Sequence, residues 1–169
     1  MSPLVSIIMG STSDLPILRK SADILEQLEI PFEMHALSAH RTPREVEKYA
    51  SEAAGRGIKV IIAAAGMAAA LPGVIAALTP VPVIGVPIRS SLEGRDALLS
   101  IVQMPPGIPV ATVGIDGAQN AAILAAEILA LCDAGVAERL DAWRSTLSEK
   151  IVKASKELAG LKTYKFKTN

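Results

Sequence analysis

Short runs of Val, Ile, Leu and Ala recur along this chain with amphipathic, helix-length stretches between them, and that alternation restricts the fold more than any other feature. Four such runs are Leu4 to Met9, Val60 to Ala64, Val81 to Val86 and Val110 to Gly114, and Pro31 to Leu37, which includes Glu33 and His35, is a fifth, β-like stretch. The first is apolar apart from Ser6, as expected of a strand buried on both faces of a parallel sheet. Helical patterning covers about Leu15 to Leu28, Pro43 to Arg56, Ala97 to Met104, Ala118 to Leu131 and Val136 to Leu158. Five strands alternating with helices predict one α/β domain over residues 1–169. Its architecture is a three-layer α/β/α sandwich on a five-stranded parallel sheet, flavodoxin-like in order.

Half of the residues are hydrophobic but only 3% are aromatic, so the core must be built from Ala, Val, Ile and Leu. Formal net charge is zero and the pI is near 6.7. With no basic stripe interleaved by aromatics, the footprint of a nucleic-acid binder is missing. The single cysteine, Cys132, excludes an internal disulfide and the multi-cysteine zinc patterns, and is expected to be a small buried hydrophobe. The start lacks a basic stretch followed by a long apolar one, and no later apolar segment reaches membrane-spanning length uninterrupted. A soluble, cytoplasmic protein with no membrane partner is expected, with a frayed tail over 160–169 that carries no chemistry.

Scarce reactive residues gather in Ser38-Ala39-His40-Arg41-Thr42-Pro43, which holds one of the two histidines. Thr42 reads as an N-cap, Pro43 as the first helical residue and Glu45 as the partner of a capping box. His40 and Arg41 therefore precede a helix at the carboxyl end of a strand, the edge where open α/β sheets bind ligands. His35 belongs to the strand before the turn and is expected to be out of reach.

Two further turns leave strands at the same edge. Gly10-Ser11-Thr12-Ser13-Asp14 offers backbone N–H groups and hydroxyls at a helix start, an arrangement suited to one phosphate. It is neither a P-loop nor a dinucleotide fingerprint, and the same residue types are ordinary helix caps. Ala65-Gly66-Met67-Ala68-Ala69-Ala70-Leu71-Pro72-Gly73 has side chains so small that backbone can approach a flat ligand, or a helix can pack tightly on the sheet. The Ala118 to Leu131 helix, and the stripe Leu140, Trp143, Leu147, Ile151, Ala154 and Leu158, carry more apolar surface than a small sheet needs. Both are expected to pack partly against other subunits.

Taken together, Met9 to Asp14, Ser38 to Pro43, Gly66 to Gly73 and Ser100-Ile101-Val102-Gln103-Met104-Pro105 resemble the class I N5-carboxyaminoimidazole ribonucleotide mutases of purine biosynthesis, the PurE family. The resemblance runs from about Val5 to Leu131. It implies a mutase that moves a carboxylate from N5 to C4 of aminoimidazole ribonucleotide without metal, biotin or nucleotide cofactor. It also implies a homo-octamer. His40 would be the catalytic proton carrier, and Ser11, Ser13, Asp14, Ser38 and Arg41 would hold ribose and phosphate. Ala65, Gly66 and Ala68 would line a dry pocket that retains carbon dioxide. Two departures stand out: Met67 replaces a glycine of the family's pocket loop, and Ala70 stands where that loop has a histidine. The segment Arg89 to Gly94 is also one residue shorter. A carboxylase using carbon dioxide directly, the related carboxylase domain that acts on a pyridine dinucleotide and a catalytically silent nucleotide-binding subunit are the rival readings.

Overall fold

The computed structural model describes residues 2–169. Its elements run β1 (Val5–Met9), a 3-10 turn (Thr12–Asp14), α1 (Leu15–Gln27), β2 (Phe32–Ala36), α2 (Pro43–Ala53) and β3 (Val60–Ala65). They continue with α3 (Leu71–Leu78), β4 (Val83–Pro87), α4 (Arg95–Val102), β5 (Ala111–Thr112), α5 (Ala118–Ala130) and α6 (Ala134–Ala159). The sheet order is β2-β1-β3-β4-β5, every pair parallel. This is the flavodoxin-like order expected from the sequence.

Alternate residues of each central strand feed two separate cores. Val5, Ile7 and Met9 of β1, with Val60, Ile62 and Ala64 of β3, face α1, α5 and the start of α6. Ile8, Ile61, Ala63 and Val83 face α2, α3 and α4. Both faces being covered, the strands carry no polar alternation, which is why they read as continuous apolar runs. On α5, Ala118, Ala121, Ala122, Ala125 and Ala126 are all fully buried. Alanines let the backbones of α1 and α5 lie close, and the Ser21 hydroxyl pins them by donating to the Ala118 carbonyl at 2.6 Å. At Gly85 of β4, an added Cβ would stand 2.4 Å from Ile101 Cγ2. Glycine there lets α4 press directly on the sheet.

Several expectations change in detail. β5 has only two residues rather than five; the prolines at 105, 106 and 109 cannot donate ladder bonds, and Asp116 turns away at φ 57°. α4 starts at Arg95 rather than Ala97 and stops at Val102, short of Met104. Thr42 occupies the N-cap of α2 but makes no capping bond to it. Its hydroxyl instead donates to the Ser38 carbonyl at 3.2 Å and accepts from the Ser38 amide at 2.9 Å, so the expected capping box is replaced by a closed turn. Cys132 is exposed rather than buried, because it falls in the two-residue turn after α5 instead of on its inner face. α5 docks on the chain's own sheet, whereas the α6 stripe is covered only at Leu140 and partly at Trp143. Further on, Leu147, Ile151 and Leu158 are exposed, Ile151 by 71%.

Candidate active site

Strand register decides where the functional turns meet. Met9 lies level with Ala36 on one side and Ala64 on the other, and Ala65 is level with Pro87. The loops leaving β1, β2, β3 and β4 therefore emerge side by side at the carboxyl edge. Together they enclose a cleft of about 570 Å³.

The β1 turn is tightly organised. Ser11 Oγ accepts from the Ser13 amide at 3.3 Å, capping the 3-10 turn, and the Asp14 amide donates to the Ser11 carbonyl at 3.1 Å. Those two amides are thus spent within the turn, which corrects the expectation of a row of free backbone donors. What the turn does offer is side chains: Ser11, Ser13 and Asp14 all line the cleft. Asp14 is almost wholly buried yet caps nothing with its carboxylate. Burial pushes its carboxyl up from the ordinary 3.8, only partly opposed by the Ser13 hydroxyl at 3.2 Å, the Ser11 backbone and the positive charge of Arg41.

The β2 turn is held by the Thr42 amide, which donates to the Ser38 carbonyl at 2.8 Å, and by the Arg41 amide, which donates to Ser38 Oγ at 3.3 Å. Arg41 then ties this turn to the first: Nη2 donates to the Gly10 carbonyl at 2.8 Å and Nε to Ser38 Oγ at 3.4 Å. One guanidinium thus bridges two turns with two of its five N–H donors and, as a lining residue of the cleft, keeps the others for further partners. His40 is exposed on the same turn and lines the cleft with Ser38 and Arg41.

The β3 loop supplies the opposite wall. Ala65, Gly66, Met67 and Ala68 line it, together with Ala69 and Ala70. An added Cβ at Gly66 would stand 3.0 Å from Ser90 Oγ and 3.4 Å from the Ile88 carbonyl, so a larger residue would have to push the β4 loop back by a few tenths of an ångström. The adjoining Arg89 amide donates to Asp116 Oδ1 at 2.9 Å, tying the start of this loop to the turn after β5.

All nine residues singled out from the sequence line this single cleft: Ser11, Ser13, Asp14, Ser38, His40, Arg41, Ala65, Gly66 and Ala68. Sequence reasoning missed Ile88 and Ser90, which carry no motif and reach the cleft only through the pairing of β3 with β4. It also missed the Gly10 carbonyl as the anchor for Arg41. The Ser100 to Pro105 stretch does not line the cleft; Met104 packs instead toward Gly73 of α3.

His35 lies elsewhere. It lines a separate, smaller groove with Leu37, Tyr49 and Arg56. Its Nε2 is 3.3 Å from Glu33 Oε1, off the line of a good hydrogen bond. Among the described residues, no three His, Cys, Asp or Glu side chains gather as a metal site. No helix among them is long and apolar enough to cross a membrane.

Comparison with known proteins places this arrangement in context. The AIRC family, described as AIR carboxylase, matches residues 4–150. The N5-carboxyaminoimidazole ribonucleotide mutase of Pyrococcus abyssi is 60% identical over 146 residues, covering 86% of this chain and 84% of that protein. The phosphoribosylaminoimidazole carboxylase of Candida glabrata is 51% identical over 160 residues, 94% of this chain but 28% of that protein. A crystal structure of Treponema denticola PurE shares the fold with a TM-score of 0.85 at 33% identity, covering 92% of this chain and 98% of that one.

Proposed function

Because this chain belongs to the AIR carboxylase family, we propose that it is an N5-carboxyaminoimidazole ribonucleotide mutase of purine biosynthesis, with His40 as its acid–base residue. The observation that carries the reading is the composition of the cleft, in which one exposed imidazole stands between a polar wall and an Ala/Gly wall. Ser11, Ser13, Asp14, Ser38 and Arg41 form the polar wall and suit ribose hydroxyls and a phosphate, with Arg41 supplying the planar fork. Ala65, Gly66 and Ala68 suit a flat base and a small apolar molecule.

The chemistry needs one proton carrier and a dry space. Protonated His40 gives its proton to N5 as the carbamate N–C bond breaks, the electron pair staying on nitrogen and carbon dioxide leaving. The electron-rich C4 then attacks that carbon dioxide, forming the new C–C bond. Neutral His40 removes the C4 proton, the ring regains aromaticity, and the imidazole returns to its starting state. An imidazole suits both steps because its ordinary pKa lies near neutrality. Walls of Ala and Gly offer carbon dioxide no nucleophile and no hydrogen-bonding side chain while it is held. The sequence of steps calls on no metal, biotin or nucleotide cofactor.

Direct carboxylation of aminoimidazole ribonucleotide is the second reading, favoured by relatives named carboxylase. Those relatives match through about a quarter of a longer protein, whereas the mutase from Pyrococcus abyssi matches over most of its length. Supplying N5-carboxyaminoimidazole ribonucleotide or, separately, aminoimidazole ribonucleotide with bicarbonate separates them. The mutase converts the first substrate to the C4-carboxylated product; conversion of the second alone supports the carboxylase, and product from neither leaves a binding protein.

A homo-octamer located in the cytoplasm completes the reading. The exposed Leu147, Ile151, Val152 and Leu158 of α6 form the surface that a second copy would cover.

A further inference from the structure

The loop between β3 and α3 holds two non-glycine residues in the left-handed region, Met67 at φ 58° and Ala69 at φ 44°. A residue with a Cβ is disfavoured there, and glycine would relieve the strain. For Ala69 the fold itself supplies a reason: its side chain is buried, and its amide closes the turn by donating to the Gly66 carbonyl at 3.0 Å. For Met67 it does not. The side chain is 61% exposed and belongs to neither core, yet it lines the cleft. Strain kept at an exposed residue on the rim of a cleft indicates a use outside folding.

Its neighbours define that use. Ala68, Ala69 and Ala70 are short, and Leu71 is buried at the head of α3. Met67 is therefore the one long, exposed side chain that this wall contributes to the cleft. A ribonucleotide with its phosphate and ribose on the Ser11, Asp14 and Arg41 side would lay its base against the Ala/Gly wall, within the stretch that carries Met67. We propose that Met67 is a specificity-determining residue whose thioether covers the outer face of the substrate's aminoimidazole ring. The proposal rests on the mutase reading above. An unbranched thioether suits the task because it adapts to an irregular gap and makes favourable contacts with ring edges. Covering the ring also closes the exit for carbon dioxide between carbamate cleavage and attack by C4.

The test compares wild type with Met67→Ala, Met67→Gly and Met67→Leu. Calorimetry measures binding of aminoimidazole ribonucleotide and of ribose 5-phosphate. Product analysis measures how N5-carboxyaminoimidazole ribonucleotide divides between the C4-carboxylated product and free aminoimidazole ribonucleotide. Met67→Ala and Met67→Gly are expected to bind the nucleotide roughly 2- to 10-fold more weakly. Binding of ribose 5-phosphate stays unchanged, and a larger share of substrate loses its carboxylate. Met67→Leu restores most of the affinity, and Met67→Gly melts no lower than wild type because the strain is gone. Wild-type affinity and partition in both the Ala and Gly variants overturn the proposal while leaving the mutase reading intact. So does an equal loss for ribose 5-phosphate, which would mean that the loop only shapes the cleft. A wild-type chain that binds neither ligand and turns nothing over overturns both readings.

Discussion

The two histidines, five residues apart, end in opposite surroundings. His40 stands exposed in an open cleft lined by Ser11, Ser13, Asp14, Ser38 and Arg41, while His35 lies against a cluster whose polar groups bond densely to one another. In that cluster Glu33 receives Arg56 through two bonds, Nη1 to Oε2 at 3.2 Å and Nη2 to Oε1 at 3.0 Å, and the Tyr49 hydroxyl at 2.6 Å. The Tyr49 phenol has one proton, which goes to Glu33, so its close contact with the fully buried Ser6 is made by the serine hydroxyl donating to the phenol oxygen. Arg56 also stacks 4.5 Å above the Tyr49 ring.

The carboxyl groups report the difference. Burial pushes Glu33 up, but the bonds from Tyr49 and Arg56, with His35 nearby, outweigh it and leave Glu33 below its ordinary value of 4.5. Tyr49, buried against that carboxylate, is pushed up to about 12. Asp14 in the cleft has too few partners to offset burial and stays raised. A cluster that satisfies its own groups contributes to the fold, whereas a raised carboxyl in a cleft marks a candidate functional group.

His40→Asn should break the comparison most severely. It keeps a hydrogen-bonding group on the turn but cannot carry the proton, so turnover should fall by about 10²- to 10⁴-fold with little change in nucleotide affinity. Steady-state kinetics that retain more than about a tenth of wild-type turnover would remove His40 from the chemistry.

Arg41→Lys comes next. It keeps the charge and loses both the bridge to Gly10 and the planar fork, so KM should rise on the order of 10- to 100-fold, as for a lost charged hydrogen bond, while kcat falls less. An unchanged KM with a collapsed kcat would place Arg41 in the transition state instead.

The closed cluster answers to stability rather than activity. Tyr49→Phe strands the buried Ser6 hydroxyl and removes a bond from Glu33, at a cost of about 1–3 kcal/mol. At that cost the melting temperature should drop several degrees while turnover per folded molecule holds. Because the folded pKa of Glu33 is depressed, its contribution is present above 4.5 and fades as pH falls below that value, so the gap between wild type and variant should narrow in acid. Equal melting at neutral pH would show the cluster to be idle.

Asp14→Asn should do the reverse. A raised folded pKa means that the group's favourable contribution exists at low pH and is lost as the carboxyl ionises, so at neutrality the wild type carries a cost that Asn lacks. Thermal melts at pH 7 should favour the variant modestly, with the difference closing as pH falls through the raised folded pKa and gone by 3.8, and nucleotide binding should weaken. A variant that melts lower at pH 7 would mean that the carboxylate's few bonds already suffice.

His35→Asn should leave turnover nearly intact, since the ring lines a different groove. A loss rivalling that of His40→Asn would reverse the two roles.

The sequence by itself determined the strands, the parallel three-layer fold and the three turns that became cleft walls. These are local signals: an unbroken Val/Ile run needs cover on both faces, and a Gly/Ser or Ala/Gly turn after it marks a strand's end. The nine candidate residues, all of which line the cleft, were legible because each sits in or beside such a turn and the turns resemble those of a known family. Tertiary structure alone decided where unmarked polar groups went. Thr42 could cap α2 or close the Ser38 turn, and the competition was settled by local geometry that no pattern encodes. Arg41 found the Gly10 carbonyl, and Ser90 found Gly66, only once the strand registers were set. Ser6 looked like an interruption in an apolar run and proved to be the buried partner of Tyr49, from a helix more than forty residues away. Hydrophobic periodicity survives in one dimension because burial repeats along the chain. Hydrogen-bond partners do not, because they join groups that only folding brings within about 3 Å.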